Sequence, residues 1–111
     1  MNRLPMSSAG AALLRALLVR ARVDRDRILL TEYRSTDWQS LTFVGERHEM
    51  RFRVAGPGSE EIYRAMTGDL TDAEFAMPGQ VLADVAVFGA PARQTDGSIS
   101  FAIEALTIAE R

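Results

Sequence analysis

The sequence predicts a single α+β domain, residues 1–111, in which five mostly antiparallel strands form one sheet with helices on one face, in the order α-β-β-β-α-β-β. The length of 111 residues is typical of one domain. The apolar and charged fractions, 47% and 25%, are close to the averages of globular proteins. Apolar residues recur at helical spacing near the N-terminus and alternate with polar residues further along, which predicts a helix followed by strands.

Residues 7–23 have the pattern of an amphipathic helix. Ser7 or Ser8 can cap its N-terminus, and Ala, Leu and Arg, which favour helices, fill most of the segment. Arg15 and Arg22 project from the side opposite an apolar stripe that consists of Met6, Leu13, Leu14, Leu17, Leu18 and Ala21. We expect this stripe to pack on the core.

Three strands are predicted next, at 27–34, 38–44 and 48–54, separated by a turn at 35–37 and a hairpin connection at 45–47. The third strand alternates clearly. One face carries His48, Met50, Phe52 and Val54, and the other carries Glu49, Arg51 and Arg53. The three strands should form an antiparallel meander.

The second half of the chain predicts a helix and two further strands. The helix should run from Pro57 to Met66 and end at Gly68 in a left-handed conformation, and the capping-box spacing of Thr71 and Glu74 suggests another helical turn. The strands are predicted at 80–88 and 98–108, with a loose hairpin loop between them.

Composition excludes several classes of function. A net charge of -2 gives no electrostatic reason to expect binding to nucleic acid. The chain has no cysteine and only one histidine, His48, so we expect no metal site and no cofactor. Its strand position makes His48 a structural, partly buried residue rather than a catalytic base. The apolar run 9–19 is too short to span a membrane and contains Arg15, so a cytoplasmic protein without a membrane partner is expected.

The loop before the second helix, "AGPG" at 55–58, is not an anion site. Glu60 and Glu61 occupy the first helical turn, where a phosphate would meet two carboxylates. The order helix, three strands, helix resembles that of double-stranded RNA-binding domains, but those domains have a basic cluster where this chain has Ser59, Glu60 and Glu61. RNA binding is therefore not expected.

The stretch "MPGQVLADVAV" at 77–87 resembles the Pro-Gly entry of the central helix in hotdog-fold proteins. That resemblance implies an acyl-thioester ligand. The histidine that the dehydratases of that family carry before this helix is missing here, and the order of elements differs.

A pair of acids is the most informative feature. If the last two strands form a hairpin centred near Gln94, Asp84 lies opposite Glu104, and two like charges in that position need compensation. Arg51 and Arg53 are the cations that could supply it. The face that carries these residues is too apolar for free solvent and too charged for a dry core, so it should contact a partner.

Two functions are compatible with this face. The first is a non-enzymatic homo-oligomer, most simply a two-fold dimer, joined through the sheet face. The alternative is a small-molecule-binding protein or enzyme with a site built from Arg51, Arg53, Asp84, Glu104 and Trp38. The sequence leaves the ligand, the substrate, the pathway and the strand order open.

Overall fold

The structure, a computed structural model, describes residues 5–22 and 25–110. The elements are α1 (Ser8–Ala21), β1 (Ile28–Gln39), β2 (Val44–Val54), α2 (Ser59–Thr67), β3 (Gln80–Arg93) and β4 (Ile99–Ala109), with short 3-10 helices at Arg25–Arg27 and Leu70–Asp72. The strands form one four-stranded sheet in the order β1-β2-β4-β3, and neighbouring strands are antiparallel. The α+β class holds, but the prediction of five strands in the order α-β-β-β-α-β-β is wrong, because the order is α-β-β-α-β-β.

The missing strand results from a turn predicted in the wrong place. The first two predicted strands are one continuous strand, β1, which passes through Ser35 and Asp37 without turning. Pairing with β2 places Ser35 opposite His48, and this ladder overrides the weak turn preference of the local sequence. The hairpin turns instead at 40–43, where the Ser40 amide donates to the carbonyl of Phe43 (2.9 Å). The predicted connection 45–47 lies inside β2.

One face of the sheet is covered by α1 and α2, and the core lies between these layers. We call this the inner face and the opposite side the outer face. The inner face of β2 carries the predicted residues, since His48, Met50, Phe52 and Val54 are all buried. Residues of both α-helices and of all four strands fill the core, among them Leu13, Leu17, Ile62, Met66, Val85, Phe101 and Ile103.

Irregularities in the pairing of the edge strands alter which of their side chains face the helices. Thr31 in β1 and Ala83 in β3 interrupt the register as single-residue β-bulges, and β3 has a further irregularity between Phe88 and Ala92. Regular alternation would place Val81 on the same face as Val85 and Val87, which lie on the inner face. Val81 instead lies on the outer face and Leu82 on the inner face, because the bulge at Ala83 separates them from the rest of the strand. A period-two reading of the sequence cannot detect such an insertion.

The helix ends differ from the prediction in detail. Ser7 is the N-cap of α1, and its hydroxyl accepts from the Gly10 amide (3.0 Å). Gly68, after α2, is extended (φ -62), whereas Asp69 is left-handed (φ 51). The predicted turn at 71–74 is the 3-10 helix Leu70–Asp72. The predicted end of α1 at Val23 lies outside the described residues, and the stretch with the hotdog likeness is strand β3 rather than a helix.

Candidate functional site

The outer face is the surface on which the predicted site residues lie. Its side chains form rows, in which residues of neighbouring strands lie side by side. From one end of the sheet to the other, the rows are Leu29–Arg53–Ser100–Ala92, Glu32–Arg51–Ala102–Phe88, Arg34–Glu49–Glu104–Ala86, Thr36–Arg47–Leu106–Asp84 and Trp38–Gly45–Ile108–Val81.

The predicted pairing of Asp84 with Glu104 is wrong. Asp84 lies opposite Leu106, and Glu104 lies opposite Ala86. The hairpin turns at 94–98, further along the chain than the sequence suggested, and β3 has an irregularity between Phe88 and Ala92, and together these set the register that places Asp84 opposite Leu106. The two acids share the outer face but belong to adjacent rows, so they are diagonal neighbours and not directly opposed.

Arg51 and Arg53 also have other partners than predicted. Arg51 Nε lies 3.3 Å from a carboxylate oxygen of Glu32 on β1, and the Arg53 guanidinium lies 2.5 Å from Asp96 in the β3–β4 loop. Hydrogen bonds from the Ser98 hydroxyl and amide, and then the Arg53 charge, lower the pKa of Asp96. The predicted set of Arg51, Arg53, Asp84, Glu104 and Trp38 is therefore spread over all five rows of the outer face.

The like charges that do face each other are Glu49 and Glu104, on neighbouring positions of β2 and β4. Arg34 on β1 lies 3.9 Å from Glu49. Arg47 and Arg51 precede and follow Glu49 by two residues on the same face, so they are diagonal neighbours of Glu104. Arginines of β1 and β2 therefore surround this pair of like charges.

An apolar patch covers the β3–β4 half of the outer face. We define it as Val81, Ala86, Phe88, Leu106 and Ile108, which lie around the buried Ala102. Val81 is 50% exposed and Phe88 47% exposed, and Asp84 and Glu104 stand between the apolar side chains. Residues described by the structure do not cover the patch, since both helices lie on the inner face.

The hairpin end of the sheet extends this patch. Trp38 flanks Gly45, which has no side chain, and Ile108 flanks Gly45 on the other side. A Cβ on Gly45 would lie 2.0 Å from the carbonyl oxygen of Thr107, so the close approach of β2 and β4 requires glycine here. Phe43 from the hairpin turn lines a groove of about 320 Å³ with Val81 and Ile108.

His48 belongs to a buried hydrogen-bonded chain on the inner face. Its Nδ1 is 3.0 Å from the Tyr33 hydroxyl, and its Nε2 is 2.8 Å from Thr107 Oγ1. The Ser7 hydroxyl lies 3.5 Å from that of Tyr33 and donates to Glu46 (2.8 Å). Burial lowers the pKa of His48, and the charge of Glu46 partly opposes that shift.

This series of hydrogen bonds joins the start of α1 to the sheet. A Cβ on Gly10 would lie 2.2 Å from the Tyr33 hydroxyl, so glycine at this position allows α1 to approach Tyr33 closely. His48 is 1% exposed, and the described residues leave no cleft beside it. The arrangement positions α1 and offers no access for a substrate. The sequence does not single out Tyr33 and Thr107, because only the pairing of β1 and β4 with β2 makes them partners of His48.

The loop 55–58, which precedes α2, is held by hydrogen bonds from a side chain of the same protein. The Arg27 guanidinium donates to the Ala55 carbonyl (2.8 Å) and to the Pro57 carbonyl, and the Gly56–Pro57 peptide is cis. Glu60, in the first turn of α2, accepts two hydrogen bonds from Arg93 on β3 (2.8 and 2.9 Å), and these lower the pKa of Glu60.

Within residues 5–22 and 25–110, no cluster of three or more His, Asp or Glu side chains is arranged to hold a metal ion. The same part of the chain contains no helix of the length and apolarity that crossing a membrane requires. Comparison of the chain with protein-family models, with curated proteins and with solved structures finds no match.

Proposed function

We propose that this protein is a homo-oligomeric domain, most simply a two-fold dimer, that associates through the outer face of its sheet. The observation that carries the proposal is the apolar patch. A sheet of this kind buries one face against helices, and monomers rarely leave a wide apolar area on the other. Here Val81 and Phe88 are about half exposed on a face without cover in the described residues.

The charges of the same face favour a second copy as the partner. The outer face carries both signs, with arginines mainly on β2 and acids on β1, β3 and β4. A surface with separated charges of both signs can be complementary to itself, which a two-fold interface requires. A different protein that bound by opposite charge alone would need an outer face of one sign.

The test is the mass in solution. Sedimentation equilibrium across the micromolar range should show a species heavier than the 12.2 kDa chain. Val81→Arg and Phe88→Arg should each weaken association at least tenfold, because each places a charge in a desolvated contact. Val19→Arg is the matched control, since Val19 is an exposed valine (71%) on α1, away from the outer face.

Two results would contradict the proposal. One is a monomer across the whole concentration range. The other is an oligomer that Val19→Arg disrupts as strongly as Val81→Arg, which would place the contact on the helical layer. Circular dichroism of each variant shows that it is folded, so a loss of association cannot be mistaken for unfolding.

A further inference from the structure

We propose that Arg47 of one copy pairs with Asp84 of a second copy across the sheet face, around a two-fold axis that runs along β4. This inference rests on the proposed function and specifies the contact by which the two copies recognise each other.

Most charges on the outer face are already paired within the chain. Arg34 and Arg51 contact Glu32 at 3.5 and 3.3 Å, and Arg34 also contacts Glu49. Arg53 contacts Asp96. Among the described residues of this face, Arg47, Asp84 and Glu104 make no ion pair within 4 Å. If the face is covered, a charge without a partner in its own chain is stabilised by an opposite charge of the covering molecule and opposes association where it meets none.

Arg47 and Asp84 belong to the same row. Leu106 on β4 is the pairing partner of Arg47 on one side and of Asp84 on the other. Because neighbouring strands are about 5 Å apart, the cation and the anion lie at about equal distances on opposite sides of Leu106. The order across this row is therefore a positive side chain, Arg47, an apolar one, Leu106, and a negative one, Asp84.

A two-fold axis along β4 makes this row complementary to itself. Two sheets that pack face to face keep their strands nearly aligned. Rotation about β4 then places β2 of each copy over β3 of the other, so Arg47 meets Asp84 twice and Leu106 meets Leu106. The same rotation places Arg51 over Phe88 of the second copy, a contact that a guanidinium and an aromatic ring favour.

The axis has a second consequence at Glu104. This residue also lies on β4, one row from Leu106, so the two copies of Glu104 approach each other. Like charges at such a contact oppose association. Glu104→Gln removes this repulsion and should therefore lower the dissociation constant of the dimer by several fold.

The decisive experiment exchanges the two charges. Arg47→Glu and Asp84→Arg should each weaken self-association at least tenfold, because each variant places two like charges in both contacts of its own dimer. A 1:1 mixture of the two variants should associate about as tightly as the wild type, since both contacts of the mixed dimer then join opposite charges. Native mass spectrometry distinguishes the mixed dimer from either homodimer by mass.

Arg15→Glu on the exposed side of α1 provides the control, and it should leave the association of either partner unchanged. If the wild type associates and Val81→Arg disrupts it, but the mixture is no tighter than the single variants, the Arg47–Asp84 contact is wrong while the proposed interface stands. Weaker association of Glu104→Gln would contradict the axis along β4. A monomeric wild type would overturn the proposed function itself.

Discussion

At the scale of single residues, His48 is a buried base that is held neutral. It is 1% exposed and has a hydrogen-bonding partner at each ring nitrogen. Burial is the main cause that lowers its pKa below 6.5. An unfolded histidine titrates near that value, so the unfolded state binds a proton at a pH where the folded state still excludes it.

The contribution of His48 to the free energy of unfolding depends on pH. The stabilising contribution of a neutral His48 is fully present above about pH 6.5 and is lost as the pH falls below it, by at most about 1.4 kcal/mol per pH unit. His48→Gln should lower the free energy of unfolding at pH 7.5 by about 1–3 kcal/mol and should flatten its decline between pH 7 and 5. Urea unfolding of both proteins at several pH values measures this, and parallel curves would contradict it.

At the scale of elements, α1 is bound to the sheet through its apolar stripe. Leu13 and Leu17 are fully buried, whereas Arg15 is exposed. Leu17→Ala should lower the free energy of unfolding by about 2–5 kcal/mol because it leaves a cavity in the core. Arg15→Ala should change it by less than about 0.5 kcal/mol. Thermal unfolding of both variants tests the pair, and equal small effects would mean that α1 contributes little to the core.

The elements also show what a sequence can predict. The stripe of α1, the cap at Ser7 and the faces of β2 follow from spacing, because each depends on residues close together in the chain. The β1–β2 turn was misplaced because Ser35, Thr36 and Asp37 favour turns locally but pair with β2 in the fold.

The candidate site was predicted only in part, for a similar reason. The outer face was assigned correctly to Arg51, Arg53, Asp84 and Glu104, since alternation decides the face. Their partners depend on register, which the position of the β3–β4 turn and the irregularity between Phe88 and Ala92 set for Asp84 and Glu104. Arg47 was missed because it was assigned to a turn, although it lies within β2.

At the scale of the whole molecule, the long axis follows the strands. The molecule measures 47 × 32 × 24 Å, and a 14-residue strand such as β3 spans about 46 Å when extended. A dimer that joins its outer faces adds thickness and keeps the long dimension almost unchanged. Small-angle scattering of the dimer should therefore give a maximum dimension well short of twice that of the chain. An end-to-end particle of doubled length would show that the hairpin tips, with Leu41, form the contact instead.

The bulges at Thr31 and Ala83 also determine where the sequence can lose a single residue without disrupting the sheet. Both lie on edge strands, which pair on one side only. If Ala83 were deleted, Leu82 could still pair with Thr107 and Asp84 with Leu106, in a regular ladder. Loss of one residue from β2 or β4 would instead reverse the faces of part of a strand that is paired on both sides. In-frame loss of a single codon should thus be tolerated at the two rims of the sheet and not in its centre.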